Sequence, residues 1–389
     1  MKILQAARDI DFHMIHFSKS IINVIGIEDF RYAVMNHPAI NRMHMGFKNN
    51  YEDEPWVIKS YLNEEAYELF VKWFYEADVV LFFERSLFSM AEKRVNNNKL
   101  TFFFSERWWR PPIGKFRLLH PRFIKLVAQI RRLSDNSNFH YLAQGGYAAE
   151  DLRCVGKFDD RIWDWGYFTD ITEHSSPTNS ILRNTNAEIN IVWCGRLLKL
   201  KRVDTLIKAF SLTIKMNPKC HLTIIGDGPE KVKLQKLAEK LLPEQSISFI
   251  NLQHNSIIRE IMHCSDIFVL PSNGYEGWGA VLNEAMAEGC AIVASKESGG
   301  GKALISDMEN GILFKAGDYQ QLANKLNILI NDKELLHKLK TRAKETMNYL
   351  WSPEIASKRF LKVSEAILSG TGLPNYKSGP MKRYGDLKN

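Results

Sequence analysis

No apolar run in the sequence approaches the roughly 18 residues that a membrane-spanning helix needs, so a transmembrane protein is not expected. The opening Met1-Lys2-Ile3-Leu4-Gln5-Ala6-Ala7-Arg8-Asp9 turns charged too early for a secretory leader. Cysteine is scarce. The five thiols (Cys154, Cys194, Cys220, Cys264 and Cys290) are odd in number, scattered and without a Cys-x-x-Cys pair. That argues against a disulfide framework or structural zinc and fits a reducing cytoplasm. The 11 histidines show no metal-ligand spacing either. Acid is missing altogether from one segment: Arg107 to Arg132 holds Arg107, Arg110, Lys115, Arg117, Arg122, Lys125, Arg131 and Arg132 with no Asp or Glu. Without those eight, the 52 basic residues become 44, equal to the 44 acidic ones. The chain is thus neutral with one positive patch, which asks for a local anionic partner rather than nucleic acid along a whole surface.

What remains is ordinary. A 389-residue chain with 45% hydrophobic and 25% charged residues reads as two globular domains, with three as the alternative, and excludes a mostly disordered protein. The C-terminal half alternates strand and helix. Ile189-Asn190-Ile191-Val192-Trp193-Cys194 is a near-continuous apolar run, as a buried parallel strand should be. Leu222–Ile225, Ser246–Ile250, Ile267–Leu270 and Ala291–Ala294 follow as strands, with helices predicted over Val203–Lys215, Lys231–Leu242, Ile257–His263, Val281–Glu288, Leu322–Ile330 and Lys333–Met347. Such repetition implies a doubly wound parallel sheet. The N-terminal half has the same rhythm with weaker punctuation: strands at Lys2–Leu4, Phe30–Met35, Val79–Phe83, Leu100–Phe104 and Phe139–Leu142, and a helix over Tyr61–Tyr75.

Chemistry concentrates in Tyr275-Glu276-Gly277-Trp278-Gly279-Ala280-Val281-Leu282-Asn283-Glu284, where two carboxylates flank a Gly-x-Gly loop between a strand end and a helix start. Open α/β sheets bind ligands at such places. Glycines let the backbone approach a phosphate, and a carboxylate can accept two hydrogen bonds from a vicinal diol such as a ribose. A surface loop whose glutamates cap a helix is the plainer alternative. Gly195-Arg196-Leu197-Leu198-Lys199-Leu200-Lys201 also follows a strand, and its Arg196 and Lys201 suit a diphosphate. Gly226-Asp227-Gly228-Pro229-Glu230 is, by itself, a turn. Asp9-Ile10-Asp11 spells the Asp-x-Asp of metal-dependent sugar transferases of another fold, but directly after a first strand it stands in the wrong context, and no metal is expected.

Taken in order, these elements resemble the family-4 glycosyltransferases of GT-B fold over about Ile189 to Met347. The resemblance implies an α/β protein with two doubly wound Rossmann-like domains facing a central cleft. It also implies retaining, metal-independent transfer from a nucleotide sugar, UDP- or GDP-linked, with no further cofactor. It assigns Glu284 to the ribose hydroxyls, Arg196 and Lys201 to the diphosphate, and Glu276 with Gly277, Trp278, Gly279 and Ala280 to the donor sugar and phosphate. The base would lie near Asn251, Leu252 and Gln253, with Gly226 beside the donor. The N-terminal half departs from the family: Ala6-Ala7-Arg8-Asp9 replaces a glycine-rich loop, and Ser105 stands where many members carry a histidine. Glu106 and Arg107 join Ser105 as acceptor-side candidates.

The basic segment interleaves Trp108, Trp109 and Phe116 with its cations. It then starts a helix near Pro121 whose Arg122, Lys125 and Arg132 line one face. Together with Arg117 these residues suit an anionic membrane surface or lipid-linked acceptor better than nucleic acid; a solvated helix face is the plain alternative. The expected organisation is an acceptor domain over 1–170, a linker over 171–188, a donor domain over 189–350, a helix over 351–369 that packs back on the first domain, and a mobile basic tail over 370–389. The expected function is a hexosyltransferase that builds a surface polysaccharide or glycolipid in the cytoplasm, either free or peripheral on the cytoplasmic face of the membrane. A nucleotide-sugar epimerase or hydrolase and a non-catalytic anionic-polymer-binding protein are the rivals.

Overall fold

The structure, a computed structural model, describes residues 1–37, 51, 53–111, 113–171, 184 and 186–385. It divides into one unit of Met1–Asp170 with Leu350–Asn389 and another of Ile171–Tyr349. Most of the expected linker, 172–183 and 185, lies outside the described residues.

In the first unit, β1 (Ile3–Ala7), β2 (Phe30–Val34), β3 (Val57–Lys59), β4 (Val79–Phe82), β5 (Leu100–Ser105), β6 (Phe139–Gln144) and β7 (Ile162–Trp165) form one sheet. Its order is 3-2-1-4-5-6-7 and every pairing is parallel. Runs such as Val79-Val80-Leu81-Phe82 are buried on both faces, which is why they lack polar alternation. The helix Glu64–Glu76 starts three residues later than the periodicity suggests, because the Asn63 side chain accepts from the Ala66 N–H and caps it. Inside the unit, Arg94 is fully buried. It donates to the carbonyls of Phe74 and Ala77 at 2.6 Å and of Leu100 at 3.2 Å, and to Thr101 Oγ1 at 3.1 Å. One guanidinium thereby ties a helix end to the starts of β4 and β5.

The last helix, Pro353–Ser369, is capped by Ser352 and belongs to this unit. It packs along Ile15–Ile25, and its Phe360 ring lies 5.8 Å from Phe17 and 5.1 Å from Phe102. The expectation of a mobile tail is corrected over 381–384, and 386–389 lie outside the described residues. Met381 N–H donates to Asp164 O, Asp164 N–H to Lys382 O, and Tyr384 N–H to Ile162 O, each at 2.8 Å. Met381 is fully buried and Arg383 pairs with Asp160 at 3.0 Å. The cause is β7: it ends the sheet, and its unpaired backbone groups take the tail as a cover.

In the second unit, β8 (Ile189–Cys194), β9 (Cys220–Ile225), β10 (Ile247–Ile250), β11 (Ile267–Leu270), β12 (Ala291–Ser295) and β13 (Ile312–Phe314) run in the order 10-9-8-11-12-13, all parallel. The order reverses between β8 and β11, where Ile191 faces Ile267 and Val192 faces Phe268. At such a switch point the loops leaving the two strands diverge to opposite sides and open a crevice at their carboxyl ends.

Candidate active site

Both sequence-predicted motifs leave the strands that flank this switch point. The β8 loop, Gly195 to Lys201, is locked to the Gly226 turn. Gly195 N–H donates to Ile225 O at 3.0 Å, Leu197 N–H to Asp227 O at 2.8 Å, and Glu230 N–H to Leu197 O at 3.1 Å. Gly226 (φ +143°) lies so close that a Cβ there would stand 1.9 Å from Gly195 O. The turn is thus a buttress for the loop, which explains its glycine better than a role in ligand contact. The β8 loop also meets the β11 loop directly, through Asn273 N–H to Leu200 O at 2.9 Å.

The side chains converge on this junction. Glu276 Oε2 accepts from Lys201 Nζ in a tight ion pair and from Ser272 Oγ at 3.1 Å. Arg196 is exposed, and its guanidinium makes no ion pair among the described residues. The helix Val281–Ala287 places Glu284 half-buried in its first turn. At the end of β8, burial pushes the Cys194 thiol well up; the charge of Glu284 adds to the shift and that of Lys201 opposes it. A cation and two carboxylates therefore share one small region above β8 and β11. Trp278 is fully buried, and its Nε1 donates to Asn283 Oδ1 at 2.7 Å, so this residue offers the site only its backbone. Gly279 takes φ +91°, the left-handed region, which turns the chain into the helix beginning at Val281.

The expectations missed a second layer. Ser298 caps the helix Gly299–Leu304 by accepting from Gly301 N–H at 3.2 Å. Gly299 N–H donates to Glu276 O at 3.0 Å and Gly300 N–H to Trp278 O at 2.9 Å. A Cβ on Gly299 would lie 1.7 Å from Gly277 O, and one on Gly300 2.6 Å from Trp278 O. The glycine triplet is thus what lets this helix press against the Glu276–Trp278 loop and fix it. A serine followed by three glycines after the β12 run was the available signal. Asn251 is less central: its Oδ1 accepts from Lys231 Nζ at 2.6 Å, and Lys231 also pairs with Asp227 at 3.2 Å. It stands at the end of β10, outside β9 and β8, with Leu252 exposed beside it.

In the first unit several expectations are corrected. Trp108 and Trp109 are buried, at 1% and 8% exposure, so neither can insert into a membrane. Asp151 holds them: its Oδ2 accepts from both backbone N–H groups at 2.7 and 2.9 Å, and its backbone carbonyl accepts from Trp109 Nε1 at 3.0 Å. Ser105 is buried, with its hydroxyl accepting from Trp108 Nε1 at 2.9 Å and lying 3.1 Å from Tyr141 Oη. It anchors this loop and is not positioned as a stand-in for a sugar-facing histidine. Arg107 donates to Trp109 O, and Glu106 accepts from Arg110 at 2.6 Å and from Tyr167 Oη at 3.2 Å. Arg117 is spent on Trp108 O at 2.7 Å, and Arg132 pairs with Glu92 at 3.4 Å. The exposed apolar groups of this segment are instead Ile113, Phe116 (74%), Leu118, Leu119 (81%) and Ile124, beside exposed Arg122 and Lys125.

Comparison with known proteins agrees with this architecture. Residues 180–346 match the family model described as glycosyl transferases group 1. An uncharacterized glycosyltransferase of Haemophilus influenzae is 33% identical over 178 residues, 45% of this chain and 50% of the relative. The lipopolysaccharide core biosynthesis glycosyltransferase LpsE of Rhizobium meliloti is 30% identical over 169 residues, 43% of this chain and 47% of that one. The chain thus spans about half the length of these curated relatives. The crystal structure of Anabaena HepE in complex with UDP aligns with a TM-score of 0.68 at 17% identity, over 95% of this chain and 100% of HepE; the same protein has been solved with UDP-glucose. The matched segment is similar to the group 1 glycosyl transferases and the fold is GT-B, both of which support a transferase.

Proposed function

We propose that the protein is a retaining, metal-independent glycosyltransferase that moves a sugar from a nucleoside-diphosphate sugar to a saccharide or lipid-linked saccharide acceptor. The observation that carries this reading is the convergence of Glu276, Lys201 and Glu284 at the β8/β11 switch point, with Arg196 on the adjoining loop. Glu284 binds the ribose diol, and Arg196 and Lys201 take the diphosphate. As the bond from the anomeric carbon to the diphosphate oxygen breaks, negative charge grows on the leaving group, and the two cations stabilise it in place of a metal. Glu276 accepts hydrogen bonds from donor-sugar hydroxyls. HepE, whose structures hold UDP and UDP-glucose, supports a nucleotide-sugar donor, and LpsE supports a role in glycan assembly. Transfer should persist in excess EDTA, and NMR of the first-formed product should show the donor's anomeric configuration. Loss of activity in EDTA or an inverted product would overturn the scheme, and donor turnover to water alone would favour a hydrolase.

We also propose a peripheral membrane site in the first unit. Among the described residues no helix is long and apolar enough to cross a membrane. Each cation near an anionic surface contributes about 1 kcal/mol, screened by salt, and Phe116 and Leu119 add insertion that salt does not remove. The protein should sediment with vesicles of anionic lipid and not with neutral ones. Replacing Lys115, Arg122 and Lys125 with Glu should abolish sedimentation and leave nucleotide affinity unchanged; equal binding to both vesicle types would refute the site.

A further inference from the structure

The two cations of the site are not equally available. Arg196 is exposed, whereas the Lys201 ammonium is bound to Glu276 Oε2. The side chains of Lys201 and Glu276 are only 17% and 13% exposed, which shields the pair from water and makes it stronger than a surface pair. The same oxygen accepts from Ser272 Oγ at 3.1 Å, and Ser272 is fully buried at the end of β11. Glu276 therefore has an anchor independent of Lys201. The loops carrying the two partners are themselves joined by Asn273 N–H to Leu200 O at 2.9 Å.

Resting on the nucleotide-sugar reading above, we infer that the Lys201–Glu276 pair is a latch that makes the site discriminate between donor and spent nucleotide. A lysine ammonium is a compact charge with three donors on a flexible stem, so it can pivot from a carboxylate to a phosphate oxygen while the loop stays still. Ser272 keeps Glu276 in place when Lys201 leaves. A nucleotide sugar that breaks the pair then meets a freed carboxylate, whose vacated oxygen accepts from a sugar hydroxyl. A nucleoside diphosphate without sugar breaks the same pair and gains nothing from Glu276. The latch thus lowers affinity for the bare diphosphate selectively, which favours release of the spent nucleotide after transfer.

The test is calorimetric titration of UDP, GDP and ADP, and of UDP-glucose, into the wild type, Glu276→Gln, Lys201→Met and the double variant. Glutamine keeps an oxygen for Ser272 and removes the charge that holds Lys201. The nucleoside diphosphate that binds the wild type should bind Glu276→Gln about three- to tenfold more tightly. Its sugar conjugate should show no such gain, and the gain should vanish when Lys201 is Met. Unchanged or weaker diphosphate binding by Glu276→Gln would overturn the latch, as would a gain of the same size in the Lys201→Met background, which would show general charge removal. Failure of all four proteins to bind any nucleoside diphosphate would overturn the nucleotide-sugar reading and the latch with it.

Discussion

The Gly299→Val variant is expected to lose nucleotide binding and transfer together. A Cβ at this position would stand 1.7 Å from Gly277 O and 3.4 Å from Trp278 N, both backbone atoms that cannot swing aside. The loop carrying Glu276 must therefore move, and the Gly299 N–H to Glu276 O bond breaks with it. Overpacking of this kind costs about 1–3 kcal/mol when side chains give way, and more when backbone must. Gly289→Ala is the control. Its own backbone is left-handed, φ +81°, which strains an alanine, but a Cβ there meets nothing within 4 Å and so displaces no neighbouring loop. Calorimetry should show no measurable UDP, GDP or ADP affinity for Gly299→Val and wild-type affinity for Gly289→Ala, with circular dichroism following stability in both. Wild-type affinity in Gly299→Val would mean that this contact does not build the site.

The second large effect falls on Arg196. Charge on the departing diphosphate grows along the reaction, so a cation that meets it contributes more to the transition state than to the bound donor. Removing one preorganised donor of this kind lowers kcat by about a hundred- to a thousandfold. Arg196→Ala should show that loss at saturating donor with a KM change under about tenfold, and Arg196→Lys should recover part of it. Because Arg196 makes no ion pair among the described residues, its replacement leaves no partner charge buried, and stability should not change. An unchanged kcat would remove Arg196 from the reaction.

The second unit was the more legible half, and the reason is physical. Parallel strands buried on both faces are near-continuous apolar runs, so Ile267–Leu270 was bounded correctly and Ile189–Cys194 likewise. Glycine turns marked the ends of β8 and β9: a Cβ on Gly226 would stand 1.9 Å from Gly195 O, and Gly195 itself takes φ +153°. Of the strands that escaped, β3 and β13 are only three residues long, and the four-residue β7 has its apolar run broken by Asp164. At the site, Glu276, Glu284, Arg196 and Lys201 were visible through spacing and sign of charge. Ser272 was not, since a serine hydroxyl means nothing until the loop brings a partner to it, here Glu276 four residues on; Ser298 was missed although a serine before three glycines at a helix start was there to be read. The tryptophans failed for the converse reason. Trp108 and Trp109 beside cations look interfacial in one dimension, but Asp151, far along the chain, supplies the hydrogen bonds that draw both inside. The tail failed similarly, since its place depends on an edge strand that composition does not reveal.

The central claim is that Glu284, in the first turn of the helix at the β8/β11 switch point, holds the ribose of a nucleoside diphosphate. Titrating UDP, GDP and ADP calorimetrically into the wild type and Glu284→Ala tests it most directly. Loss of a charge-assisted hydrogen bond is worth about 1.5–3 kcal/mol, so the affinity for whichever nucleotide binds should fall about ten- to a hundredfold, with the circular dichroism melt unchanged. Equal affinity in the two proteins would contradict the assignment and move the nucleotide site elsewhere.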